Sequence, residues 1–215
     1  MVIEGRSENN ENNSDWGFGL LRNEIGRVFE CQGYELDVPL HEALDITQRA
    51  DVLMYLSSCL RADLVINCAA YTAVDEAEAE STQANIVNDL GVRNLALVCK
   101  ELDILLAHIS THYVLSVFSG EHRSRWRVFD ERNPVNVYGY SKYLGERYLE
   151  SVNPKYYLVR TSWLFGAGRP NFVNTMLRLA ASRSELHVVN DQFGCRTSVP
   201  DLAVAIGNYP MKSTY

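Results

Sequence analysis

The sequence predicts an α/β protein built on a doubly wound parallel sheet of Rossmann type. Three observations carry that prediction. Asp63 to Ala69 and Ile104 to Ile109 carry their apolar residues at consecutive rather than alternating positions. A strand of that kind is covered on both faces, as in a parallel sheet. Helical patterns lie between and around these runs, and strands alternating with helices mean βαβ units. Right-handed crossovers then cover both faces with helices and place ligands beyond the carboxyl ends of the strands.

Met1-Val2-Ile3 is too short for a buried strand, and the polar stretch from Ser7 to Asp15 reads as loop or disorder. Leu21, Ile25 and Val28 fall at helical spacing, so a helix runs from about Leu20 to Cys31 and Gly33 ends it. Tyr34 to Val38 reads as a weak strand and Ile46 to Ser58 as a helix. Ser81 to Leu102 is a long helix carrying Ala84, Val87, Leu95 and Val98. Helices follow at Tyr138 to Ser151 and Asn171 to Ser182, with strands at Tyr156 to Leu164 and Leu186 to Val189. The expected division is an irregular segment 1–19, a nucleotide-binding domain 20–165, and a partial substrate lobe 166–215.

Composition narrows the function. The chain has 215 residues, 47% of them hydrophobic, with a net charge of -7. An acidic chain argues against a nucleic-acid partner. No apolar run reaches the roughly 18 residues that cross a bilayer. The start of the chain shows no basic and apolar leader, so a secretory signal is not expected. Five scattered cysteines without a Cys-x-x-Cys pair fit reduced thiols and a cytoplasmic location. His108 and His112 are four apart, but they straddle the end of a strand, so no metal site is expected. Arg123 to Arg127 reads as a solvated basic loop.

The most informative pair is Tyr138 and Lys142. On a helix, positions i and i+4 lie about 6 Å apart on one face. An ammonium beside a phenol favours the phenolate and draws the tyrosine toward neutral titration. Such a tyrosine can exchange a proton with a carbonyl or alcohol oxygen. Three strand ends surround it in the expected fold. Asn67-Cys68-Ala69-Ala70-Tyr71 offers small residues a flat cofactor can approach. Ser110-Thr111 offers hydroxyls for a substrate carbonyl. Arg160-Thr161-Ser162-Trp163 offers an aromatic for stacking.

These motifs, with Leu44-Asp45-Ile46-Thr47, Asn88-Asp89-Leu90-Gly91, Asn171 to Leu177 and Asp191-Gln192-Phe193-Gly194, occur in the order of one family. From about Leu44 to Leu202 the chain resembles the dTDP-4-dehydrorhamnose reductase family of extended short-chain dehydrogenases/reductases. The resemblance implies NADPH- or NADH-dependent reduction of a 4-keto-6-deoxy nucleotide-sugar. Tyr138 would be the proton donor, Lys142 would bind the nicotinamide ribose and lower the Tyr138 pKa, and Thr111 would bind the substrate carbonyl. Gly19, Asp45, Ile46, Ala69, Ala70 and Tyr71 would line the cofactor. Ser110 and Trp163 would join Thr111 at the substrate. The family also implies a possible homodimer.

The chain departs from this pattern in four places. The family opens with a strand and a Gly-x-x-Gly-x-x-Gly turn. Here Trp16 and Arg22 stand on the first and third glycine positions, Gly19 alone matches, and no clear first strand precedes them. Arg22 is expected to obstruct helix–strand packing. His112 replaces the usual Asp after Ser110-Thr111, and the loop through Val114 to Gly120 is longer. The family also continues beyond the equivalent of Tyr215, so a degraded first strand and a truncated substrate lobe are expected. The alternative is a non-catalytic partner similar to the β subunit of methionine adenosyltransferase, or an inactive remnant.

Overall fold

The computed structural model describes residues 2–3, 18–39, 42–59, 62–115, 126–167, 171–188, 190 and 194–208. Its centre is a parallel sheet of β1 (Val2–Ile3), β2 (Leu64–Asn67), β3 (Leu105–Thr111) and β4 (Tyr156–Thr161), in that spatial order. Val2 lies opposite Ile66, Ile66 opposite Ala107, and Thr111 opposite Thr161.

Side chains alternate across the sheet and build two cores. Val65 and Leu106 face one layer of helices. That layer comprises α2 (Arg49–Ser58), α4 (Val92–Glu101) and α5 (Val137–Val152), which contribute Val52, Leu56, Leu95, Val98 and Leu149. Ile66, Ala107 and Ile109 face the other layer, formed by α1 (Phe18–Cys31) and α7 (Val199–Asn208) through Leu21, Ile25, Val28, Ala203 and Ile206. Apolar runs buried on both faces thus produce the expected three-layer α/β architecture. A second, two-stranded parallel sheet joins β5 (Leu164–Phe165) to β6 (Thr197–Ser198). Between them in sequence lies α6 (Phe172–Ser182).

Several local expectations are corrected. Val2–Ile3 does form a first strand, because β2 offers an in-register partner and two residues suffice to join that ladder. Tyr34 to Val38 is irregular. Its Asp37 carboxylate is held by the Tyr55 hydroxyl at 3.0 Å and the Cys59 thiol at 3.3 Å, so this segment is fastened to α2 instead of a strand. Residues 186–188 form no strand, and Val188 is exposed; Val189 lies outside the described residues. The helix α7 had no counterpart in the sequence reading, although Pro200 in its first turn is a helix-start signal.

Arg22 does not obstruct α1. Leu21 and Ile25 turn into the core, and the half-buried Arg22 places its guanidinium 3.2 Å from the Asn23 side-chain oxygen. Trp16, the polar segment Ser7 to Asp15, most of the Val114 to Gly120 loop, Arg123 to Ser124 and Arg125, and Asp191 to Phe193 lie outside the described residues.

The predicted long helix runs from Ser81 to Glu101 but is not uniform. An α-helical turn α3 (Ser81–Asn85) passes into a π-helical segment, Ile86–Gly91, before α4 resumes the α-helix. Such segments insert an extra residue and often mark functional sites. Here the segment presses the Asn88 carbonyl against Gly145 of α5, where a Cβ would collide with it.

Candidate active site

The N-terminus of α5 is fixed before any chemistry is considered. Asn136 caps it, accepting the Gly139 N–H at 2.7 Å. Gly139 is required there, since a Cβ would meet the Tyr113 carbonyl. The helix then delivers Tyr138 and Lys142, both buried, beneath the end of β3.

Thr111, the last residue of β3, stands by the Tyr138 phenol, favouring its ionised form, and accepts the Tyr113 N–H at 3.3 Å. Tyr113 stacks edge-on against Tyr138, with ring centroids 5.7 Å apart. Tyr138 and Thr111 therefore meet as expected. The predicted depression of the Tyr138 pKa is not found. Burial pushes the phenol well above its usual value, and Thr111 only partly opposes this. Lys142 is aimed elsewhere. Its Nζ donates to the Ile109 carbonyl at 2.8 Å and stands 3.3 Å from His108 Nε2. Burial lowers the Lys142 pKa to about 7, opposed by Glu146 and Cys68.

Ala69 and Ala70 are buried just past β2. Asn67 accepts the Ala69 N–H at 2.9 Å, which turns the chain away from the strand. Tyr71 is held by Asn88 from the π-helical segment. The carboxamide accepts the Tyr71 N–H at 2.9 Å, donates to the Tyr71 carbonyl at 3.0 Å, and donates to the Ser141 hydroxyl of α5 at 3.0 Å. One buried side chain thus fastens the predicted cofactor loop to the helix bearing Tyr138. The Tyr71 hydroxyl donates outward to Glu80 at 2.8 Å.

Asp45 and Ile46 lie before α2. Asp45 accepts from the Thr47 N–H and hydroxyl at 2.9 and 2.8 Å. Ile46 packs on Gly91, and its carbonyl accepts from Asn94 at 3.0 Å. Gly19 is buried in the first turn of α1.

Ser110 is not grouped with Thr111. Its hydroxyl donates at 2.6 Å to Glu146, a fully buried carboxylate. Glu146 also receives Arg160 at 2.8 and 2.9 Å and Arg132 at 3.0 Å. Arg132 further pairs with Glu150. This cluster ties β3, β4 and α5 together, so the Ser110 hydroxyl serves the scaffold.

Trp163 stands just beyond β4 with a positive φ of 46°, costly for a residue with a side chain. Its ring packs on Gly194 and lies edge-on to His112, centroids 6.4 Å apart. Burial lowers the His112 pKa, with the Thr161 backbone opposing it, so the ring is neutral at pH 7. The position where the resemblance leads one to expect an Asp thus carries an uncharged ring. The His112 Nδ1 and Thr161 Oγ1 are buried without a hydrogen-bond partner. Unpaired polar atoms beside buried alanines and a raised-pKa phenol, all at the carboxyl ends of parallel strands, fit a polar ligand lying across those ends.

Sequence reasoning missed Asn67, His108 and Glu146 as site residues. The first two carried a readable signal, since Asn67 closes the apolar run of β2 and His108 interrupts that of β3. Glu146 follows Lys142 by one helical turn, but nothing in the sequence announced its two arginines.

The sequence matches the RmlD substrate binding domain over residues 17–213. It is 40% identical over 187 residues to dTDP-4-dehydrorhamnose reductase of Mycolicibacterium smegmatis, covering 85% of this chain and 56% of that protein. It is 41% identical over 186 residues to the Streptomyces griseus protein of the same name, covering 86% and 60%. Among solved structures, dTDP-4-dehydrorhamnose reductase from Bacillus anthracis in complex with NADP superimposes with a TM-score of 0.85 at 35% identity, over 100% of this chain and 71% of that one. A Thermus thermophilus UDP-glucose 4-epimerase, 20% identical with a TM-score of 0.71, shares the fold. The chain thus spans between 56% and 60% of the length of these two curated relatives. On motif order, fold and sequence identity alike, the chain belongs to the RmlD substrate binding domain family, that of the dTDP-4-dehydrorhamnose reductases.

Proposed function

We propose that this chain carries the catalytic half of an NADPH-dependent reductase acting on dTDP-4-dehydrorhamnose. The observation that carries the reading is the Tyr138–Thr111 pair at the end of β3, on the helix that also bears Lys142. The relatives' names and the NADP complex of the Bacillus anthracis protein support the same chemistry.

When bound, the nicotinamide supplies the hydride. The chain's own residues do the rest. Ala69, Ala70 and Tyr71 would line the cofactor, held in place by Asn67 and Asn88. Gly19, Asp45 and Ile46 would form its far end. Thr111 would hold the substrate C4 oxygen beside Tyr138, and Tyr138 would donate its phenolic proton to that oxygen. In the reductive direction the phenol must arrive protonated, and its raised pKa ensures that at neutral pH. Trp163 and His112 would bound the sugar side. NADH could serve in place of NADPH, and a homodimer is part of the proposal.

The experiment is an NADPH titration by tryptophan-to-cofactor energy transfer, followed by turnover of a dTDP-4-keto sugar. Saturable binding with turnover is expected. A folded chain that binds no cofactor would overturn the reading and favour the partner-subunit alternative.

A further inference from the structure

Lys142 has a neighbour the proposed reaction does not use. His108 sits in the middle of β3, fully buried, with both ring nitrogens facing polar groups. The orientation of Asn67 is settled by its own contacts. Its Oδ1 accepts the Ala69 N–H at 2.9 Å, so its Nδ2 is the atom 3.0 Å from His108 Nδ1. An amide nitrogen only donates, so Nδ1 must present its lone pair. A neutral ring then carries its proton on Nε2, which points at Lys142 Nζ 3.3 Å away.

That arrangement discriminates between the two states of Lys142. An ammonium has no lone pair, so it would face the Nε2–H donor to donor. A neutral amine can accept the Nε2–H while still donating to the Ile109 carbonyl. We propose that Asn67 and His108 are positioning residues for Lys142: a buried polar strut from Ala69 through Asn67 and His108 that favours the neutral amine and makes Lys142 a proton-uptake site. Titratable groups near Nζ include the Cys68 thiol after β2 and Glu146 one turn on along α5, with Tyr138 one turn before. Glu146 and the Cys68 thiol favour the charged form, and burial opposes it, as the Nε2–H facing Nζ does by its geometry. Any group that hydrogen-bonds Nζ as an acceptor, such as the vicinal hydroxyls of a ribose, would tip the balance toward the ammonium. The chain would then take up a proton as the ligand binds. That consequence rests on the function proposed above, whereas the strut itself does not.

The test reads the two groups directly by NMR. Long-range proton–nitrogen spectra of the native chain give the His108 tautomer, and ¹³Cε-labelled lysine gives the Lys142 titration midpoint. The expected result is a bare Nδ1 and a protonated Nε2 on His108. Asn67→Asp keeps the acceptor for Ala69 but demands Nδ1–H, so it should reverse the tautomer. Both Asn67→Asp and His108→Gln should raise the Lys142 midpoint by about one pH unit, tenfold in the protonation equilibrium. A native His108 protonated on Nδ1 would overturn the proposal, as would an unmoved midpoint in folded variants. Because the native tautomer needs no variant, a variant that fails to fold leaves the proposal open to refutation. A chain with the expected tautomer but no reductase activity would overturn the proposed function and leave the strut standing.

Discussion

The Asn88 carboxamide holds both backbone groups of Tyr71, accepting its N–H at 2.9 Å and donating to its carbonyl at 3.0 Å. The same side chain reaches Ser141, whose hydroxyl donates onward to the Tyr138 carbonyl at 2.8 Å. A backbone–side-chain chain of four residues therefore connects the predicted cofactor loop to the predicted proton donor. Asn88→Ala should cost about 1–3 kcal/mol for each buried group left unpaired. It should raise the KM for NADPH more than it lowers kcat. Equal KM values for variant and native chain would show that Tyr71 keeps its place without the clamp.

Tyr138→Phe removes the proposed proton donor but keeps the ring that packs on Tyr113. Turnover should fall by roughly 100- to 10,000-fold, the span attributed to general acid catalysis. The NADPH dissociation constant should be nearly unchanged. Native turnover by the variant would end the assignment of Tyr138.

Glu146 is fully buried between Arg132 and Arg160, whose side chains are 19% and 17% exposed. Removing one member of a buried ionic cluster leaves charges uncompensated and costs about 3–5 kcal/mol. Glu146→Ala should show a loss of that size in urea denaturation. It would also free the Ser110 hydroxyl. A loss well under 1 kcal/mol would mean that water reaches the two arginines.

Stability should rise with pH. Lys142 titrates near 7 in the folded chain and near 10.5 unfolded, so between those values the unfolded chain binds more protons and folding gains as pH increases. His108 is likewise held far below its ordinary 6.5, which adds a gain with the same sign at lower pH. Thermal midpoints measured from pH 6 to 9 should climb, and Lys142→Met should flatten the climb above pH 7. A native curve already flat in that range would contradict the depressed Lys142.

Much of this was legible in the sequence because it depends on pattern. Consecutive apolar residues gave β2 and β3, and motif order gave Tyr138, Thr111 and Lys142. What was hidden depends on partners. Val2–Ile3 is a strand only because β2 lies beside it, and Tyr34 to Val38 is not one because Asp37 is fastened to Tyr55 and Cys59. Spacing alone placed Lys142 beside Tyr138, but it could not show that its amino group would be drawn toward β3 instead. Ser110 adjoins Thr111 in sequence, yet it is bonded to a carboxylate no motif reveals.

The π-helical segment Ile86–Gly91 makes the number of residues in this helix matter as much as their identity. A residue advances an α-helix by about 100°. Because the wide turn already holds one residue more than an α-helical turn needs, deleting one residue between Asn85 and Asn88 would let the ladder close as an ordinary α-helix with Ser81–Asn85 and Val92–Glu101 still in phase. The same deletion inside Val92–Glu101 would turn everything before it by that angle. The helix is therefore like a belt with one slack link: shortening at the slack flattens the bulge that presses Asn88 on Gly145, while shortening elsewhere throws the whole drive out of step.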